Sequence, residues 1–104
     1  MTNQSDHEII EINLMLVLEE MEGQPEVGNS YPPDGISYED EMVQIREFID
    51  LAGEYGLAFE YINGALERFP YRISGKAAIK LLEAGLLMGF KSENDEDKRF
   101  DRRK

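Results

Sequence analysis

Apolar residues recur along this chain mostly at helical spacing, in four blocks. In the first, Ile9, Ile12 and Leu16 fall on one helical face and Ile10, Leu14, Val17 and Met21 on another. The same block also alternates as a strand would (Ile10, Ile12, Leu14, Leu16, Leu18), but its length and the sequence Ser5-Asp6-His7-Glu8 favour a helix. That tetrapeptide matches a capping box, with Ser5 as N-cap and Glu8 three residues on, and predicts a helix running to about Glu22 with Gly23 at its C′ position. In the second block, Ser37 offers an N-cap. Glu39, Asp40 and Glu41 sit in the first turn, where the helix dipole favours acids. Met42, Ile45, Ile49 and Ala52, with Tyr38 and Phe48, make an apolar stripe to about Glu54 or Tyr55. The third block, Leu57, Phe59, Ile62, Ala65, Leu66 and Phe69, runs through Arg68 and stops before Pro70, which cannot continue a helix and favours extended backbone at Phe69. The fourth is capped by Ser74 and spans Gly75 to Met88, with Ala78, Ile79, Leu81, Leu82, Gly85 and Leu86 read as inward and Gly89 closing it.

The pattern predicts an all-α domain of about four helices over residues 1–90, with no segment marking a sheet. The expected core is Ile45, Ile49, Leu57, Phe59, Ile62, Leu66, Ile79 and Leu82. Residues 23–36, GQPEVGNSYPPDGI, hold three prolines and three glycines and read as a long loop, either functional or flexible. Residues 91–104 are almost wholly charged and read as a disordered tail. Three glycines interrupt the second and third blocks. Gly53 falls near a helix end, and Gly56 suits a left-handed C′ position. Gly64 is expected to allow close approach of a neighbouring helix.

Charge sharpens the picture. The 104 residues carry 11 basic and 22 acidic side chains, a net −11. Residues 1–67 hold 16 acids and one base (Arg46), or −15, whereas residues 68–104 hold 6 acids and 10 bases, or +4. A field of that sign repels nucleic-acid phosphates and anionic lipid, and attracts a basic protein. The longest apolar run, Leu14 to Leu18, is too short to span a bilayer, and the first residues lack the basic region of a signal peptide. With no cysteine in the chain, a cytoplasmic protein in a reducing compartment is the expectation.

Candidate chemistry is sparse. His7 stands alone, and the serines have no histidine near them in sequence. Asp34-Gly35 lacks the ligand ladder of a calcium loop, and Gly75-Lys76 lacks the Ser/Thr and leading glycine of a phosphate-binding loop. Glu47 and Asp50 lie one turn apart as an acid–base pair could, although carboxylates at that spacing are common on solvated helices. No enzymatic activity, metal or cofactor is expected. Asp40, Glu47 and Glu54 repeat every seven residues, with Asp50 between the last two, Glu60 beyond the corner and Tyr55 among them as an aromatic anchor. Acids mixed with tyrosines suit an interface to a basic surface, and suit equally a solvated helix face above core tyrosines.

The stretch 44–90 resembles the MafI-like small immunity proteins of bacterial polymorphic-toxin systems. The resemblance is carried by Glu47, Phe48, Ile49, Gly53, Glu54, Tyr55, Gly56, Leu57, Ala58, Glu60, Ile62, Leu66, Ser74, Leu82 and Gly89. It implies an all-helical protein that binds and neutralises a cognate toxin domain, commonly a nuclease. The rival from another class is an acidic adaptor subunit unrelated to toxins.

Overall fold

The computed structural model describes residues 4–89, so the expected tail at 91–104 lies outside the described residues. The chain forms α1 (Gln4–Glu22), a short 3-10 helix (Pro25–Ser30), α2 (Tyr38–Asp50), α3 (Tyr55–Arg68) and α4 (Gly75–Leu87), with no strand among the described residues. The all-α reading therefore holds. α1 opens at Gln4, so Ser5 falls inside its first turn rather than ahead of it.

Of the two apolar faces on α1, Ile10, Leu14, Val17, Leu18 and Met21 enter the core, while Ile9 and Ile12 face outward. α4 lies antiparallel along α1. Glu20 near the end of α1 accepts bonds from the backbone N–H (2.8 Å) and hydroxyl (2.7 Å) of Ser74, the N-cap of α4. Both bonds hold the Glu20 carboxyl below its ordinary value, the hydroxyl contributing most. Ser74 Oγ in turn accepts from Ala77 N–H, as the cap reading requires. Midway, the buried Asn13 amide donates to Lys80 O at 3.1 Å and Glu83 Oε1 at 2.8 Å, so its burial leaves no donor unsatisfied.

α2 and α3 form an antiparallel pair beneath α1. Phe48 meets Tyr61 edge-on at 5.2 Å, and Arg68 reaches Glu41 at 3.6 Å. Ile45, Ile49 and Ile62 are fully buried, as expected, and Phe59 and Leu66 pack against the core at partial exposure. Three expected core residues are not core. Leu57, Ile79 and Leu82 are exposed, and the inner face of α4 is Ala77, Leu81, Ala84 and Gly85. The reason is that apolar residues cover most of the circumference of α4, with Lys76, Lys80 and Glu83 confined to one side, so hydrophobicity alone does not choose its inner face. The small residues do, because they let α1 and α3 come close. A Cβ on Gly85 would lie 2.7 Å from Phe59 Cζ. The close-approach glycine is thus Gly85 and not Gly64, whose Cβ would meet only the Arg68 guanidinium, at 3.9 Å.

The corner also differs from expectation. α2 stops at Asp50, some four residues early, and Gly53 carries the left-handed backbone at φ +63°. Glu54 N–H then closes back on Phe48 O at 2.7 Å. Gly56 lies inside the first turn of α3, with no positive φ. Gly23 is not left-handed either. Gly23 N–H still donates to Glu19 O and Glu20 O and Gln24 N–H to Met21 O, and the single Tyr38 O–H is shared between Met21 O and Glu22 O, 2.9 Å from each.

The Pro/Gly segment is packed. Val27 and Tyr31 are buried, and the Tyr31 ring stacks on Phe69 at 3.8 Å. Tyr31 O–H donates to the buried Glu41 carboxylate at 2.7 Å, and its oxygen lies 2.6 Å from Tyr71 Oη. Burial, then the bonds to Tyr71 and Glu41, push the Tyr31 phenol far above its ordinary range, and burial likewise pushes Tyr71 up to about 12. Glu41, a first-turn residue in sequence, is therefore a core residue that ties the loop to the α3–α4 connection. Its four-residue spacing to Ile45 and Ile49 was the signal that could have placed it.

Candidate functional site

Alpha-helical geometry divides the six sequence-predicted residues into three groups. At 100° per residue, Asp40 and Glu47 point away from the buried Ile45–Ile49 side of α2, and Glu60 points away from Ile62 on α3. These three carboxylates are exposed on the outer surface of the α2–α3 pair. Asp50 leaves that group. It sits on the edge of α2 next to α1, 3.7 Å from Arg46, whose guanidinium also clasps Glu22 at 2.6 and 3.0 Å. Glu54 and Tyr55 form the third group, at the corner, where they line a cleft of about 440 Å³ with His7, Ile10, Leu57 and Met88.

Tyr55 is held firmly at the corner. Its hydroxyl donates to Glu11 Oε1 at 2.9 Å, and its ring lies 6.1 Å from the His7 ring. Burial, then the bond to Glu11, raise the phenol above its ordinary value, so it stays a neutral donor. The residue as a whole is half-buried and lines the cleft together with Ile10, Leu57 and Met88.

Sequence reasoning missed the apolar partners of these acids. Leu51 is 80% exposed directly after α2, and Leu57 and Tyr61 are exposed on α3 beside Glu54 and Glu60. Leu57 begins an apolar block, which by itself points to the core. Position 57 falls five residues before Ile62, on the far side of the helix, and that spacing is the signal available. Across residues 47–67 there are five acids and no lysine or arginine. The corner thus presents aliphatic and aromatic surface ringed by carboxylates.

Chemically this arrangement suits recognition. Among the described residues no group of three or more histidine or acidic side chains is placed to hold a metal ion. No helix among them is long and apolar enough to cross a membrane. No protein-family model, curated protein or solved structure matches the chain.

Proposed function

We propose that this protein is an immunity protein, which binds a cognate toxin domain in the cytoplasm and neutralises it through the acidic α2–α3 face and the corner cleft. The observation that supports this most is the mixture at the corner. Leu51, Leu57 and Tyr61 lie exposed near Glu47, Glu54 and Glu60, with no basic residue between positions 47 and 67, and Asp40 extends the acidic face at the other end of α2. Apolar anchors provide binding energy at the centre of an interface, and a single-sign rim steers a partner of opposite charge. The partner is accordingly a basic protein, as a nuclease domain that binds phosphate backbones would be. The resemblance of residues 44–90 to the MafI-like immunity proteins points the same way.

The test is co-expression with the product of the adjacent gene in a host that it kills. The wild-type chain should protect, and reversal of Asp40, Glu47, Glu54 and Glu60 to lysine should abolish protection while leaving the melt of the purified variant little changed, because exposed charges contribute little to stability. Association should slow as ionic strength rises past about 0.15 M, where the screening length is roughly 8 Å. A quadruple variant that folds and protects fully would refute this face. If no adjacent gene product is toxic or binds, the adaptor reading takes its place.

A further inference from the structure

Met88 closes α4 and lines the corner cleft beside Tyr55, Leu57 and Ile10. Everything beyond position 89 therefore starts from the rim of that cleft. What starts there is sorted by charge. Residues 93–97 hold four acids. Residues 98–104, KRFDRRK, hold five bases, one acid and Phe100, a net +4.

Residues 1–89 hold 17 acids and 5 bases, or −12. Four of those bases, Arg68, Arg72, Lys76 and Lys80, lie at the end of α3, in the α3–α4 connection and in the first half of α4. The corner is formed by the opposite ends of the same two helices. The fifth, Arg46, is taken up by Glu22 at 2.6 Å and Asp50 at 3.7 Å. Among the described residues, Glu47, Glu54 and Glu60 are exposed and in no ion pair. Glu54 lines the cleft, and Glu60 lies one turn along α3 from Gly56, which lines it too. Lys98 is nine residues past Gly89, a span of at most about 30 Å, so the acids at the cleft are within its reach.

We propose that residues 98–104 fold back on the corner of their own chain, with Phe100 in the cleft and the bases against Glu47, Glu54 and Glu60. Three properties match. The cleft, about 440 Å³ and walled by Ile10, Leu57 and Met88, accepts an aromatic ring. The rim attracts the segment's charge and repels the acids at 93–97, so only the last seven residues are drawn in. The exposed Tyr61 ring offers a face to an arginine. So short a tether also keeps the segment at a local concentration on the order of millimolar. In its consequence for function the proposal rests on the corner being the partner's site: the segment is then a competitor built into the chain. With a local affinity on the order of 100 μM it lowers a partner's apparent affinity about ten-fold. A cognate domain with a larger interface displaces it, and an unrelated basic protein does not.

The chain has no cysteine, so paired cysteines report where the segment lies. Asp101→Cys with Leu51→Cys, 80% exposed at the corner, should form an intramolecular disulfide under mild oxidant. It should do so several-fold faster than Asp101→Cys with Ala78→Cys, exposed on α4 near the bases, each rate being normalised to that cysteine's reaction with a neutral disulfide. Position 101 reaches both sites, because Ala78 lies only about 16 Å back along α4, so the ratio reports preference rather than length. Adding Arg99→Glu, Phe100→Ala, Arg102→Glu and Arg103→Glu should bring the ratio to parity with the helical circular-dichroism spectrum unchanged. A synthetic KRFDRRK peptide added in trans should bind the full chain carrying those four substitutions roughly ten-fold more tightly than the wild type. Equal rates at positions 51 and 78, a disulfide-linked dimer in place of the intramolecular product, a ratio indifferent to the four substitutions, or equal or absent peptide binding in the two chains overturns the proposal. None of these readouts involves a toxin. Preference for position 51 without protection in co-expression keeps the docked segment and refutes the immunity reading, and protection with equal cross-linking does the reverse.

Discussion

Two helical glycines, Gly64 inside α3 and Gly85 in the last turn of α4, test how the helices pack. Replacing Gly64 with alanine removes a helix-interior backbone penalty, a gain of about 1 kcal/mol, and at Gly85, near the helix end, the gain is at most that. What differs is the space around the new methyl. At Gly64 the nearest atom is an Arg68 guanidinium nitrogen at 3.9 Å, an ordinary contact with the end of a flexible side chain. At Gly85 the methyl would stand 2.7 Å from Phe59 Cζ and 3.0 Å from Cε1, so the ring must move. Phe59 is packed against the core, and an overpacked methyl there costs about 1–3 kcal/mol. Gly64→Ala should therefore stabilise by about 1 kcal/mol, and Gly85→Ala should range from neutral to about 2 kcal/mol destabilising. Urea melts with unchanged slope measure both, and at this chain length 1 kcal/mol also moves the melting temperature by about 4–8 °C. Phe59→Leu, which withdraws the ring atoms, should remove most of the Gly85→Ala penalty and produce a coupling of about 1 kcal/mol or more in a double-mutant cycle. If Gly85→Ala stabilised as much as Gly64→Ala, α3 and α4 would not meet at this point and the assigned packing would be wrong.

Ile49→Ala should cost about 2–5 kcal/mol in denaturant melts because Ile49 is fully packed, whereas Leu82→Ala, mostly solvated, should fall within about 0.5 kcal/mol of wild type. Gly53→Ala should destabilise by about 1–2 kcal/mol through its left-handed backbone alone, since a Cβ there meets nothing within 4 Å. Gly56→Ala, in the first turn of α3, should be neutral to stabilising, and the reverse ranking of the two variants would move the corner to position 56. Tyr31→Phe should cost about 1–3 kcal/mol by leaving the buried Glu41 carboxylate without its phenolic donor; a melt equal to wild type would show that water replaces the phenol there. Glu20 and Glu83 are both depressed, by the Ser74 bonds and by the Asn13 bond respectively. Their contribution is present above the ordinary glutamate value near 4.5 and is lost as pH falls through the lower folded values, so the melting temperature should drop on acidification below about 4.5, and less steeply in Glu20→Gln. A Glu20→Gln profile parallel to wild type would remove Glu20 from that account.

What could be read without the structure was whatever depends on neighbours along the chain. Helix existence and type followed from the spacing of Met42, Ile45 and Ile49 and of Leu81 and Gly85. The Ser37 and Ser74 caps act within three residues, and Pro70 acts on its immediate neighbours, so these features were legible as well. The acidic bias of residues 1–67 and the outward direction of Asp40, Glu47 and Glu60 belong to the same class. What the tertiary structure decided was every choice among faces or partners that are locally equivalent. α1 carries two apolar faces, and α4 is apolar around all of its circumference except the side that holds Lys76, Lys80 and Glu83. Only the approach of α1 and α3 to Ala77, Ala84 and Gly85 turned Ile12, Ile79 and Leu82 outward. Asp50 left the acidic face because Arg46, already clasping Glu22 on α1, stands on its side of the helix. Glu41, read as a first-turn acid favoured by the helix dipole, is a core residue because Tyr31 and Arg68, from two distant segments, converge on it. Helical periodicity is a property of a segment and is written within it. The side of a helix that meets another depends on which side chains allow the closest packing between segments distant in sequence, and no single segment contains that information.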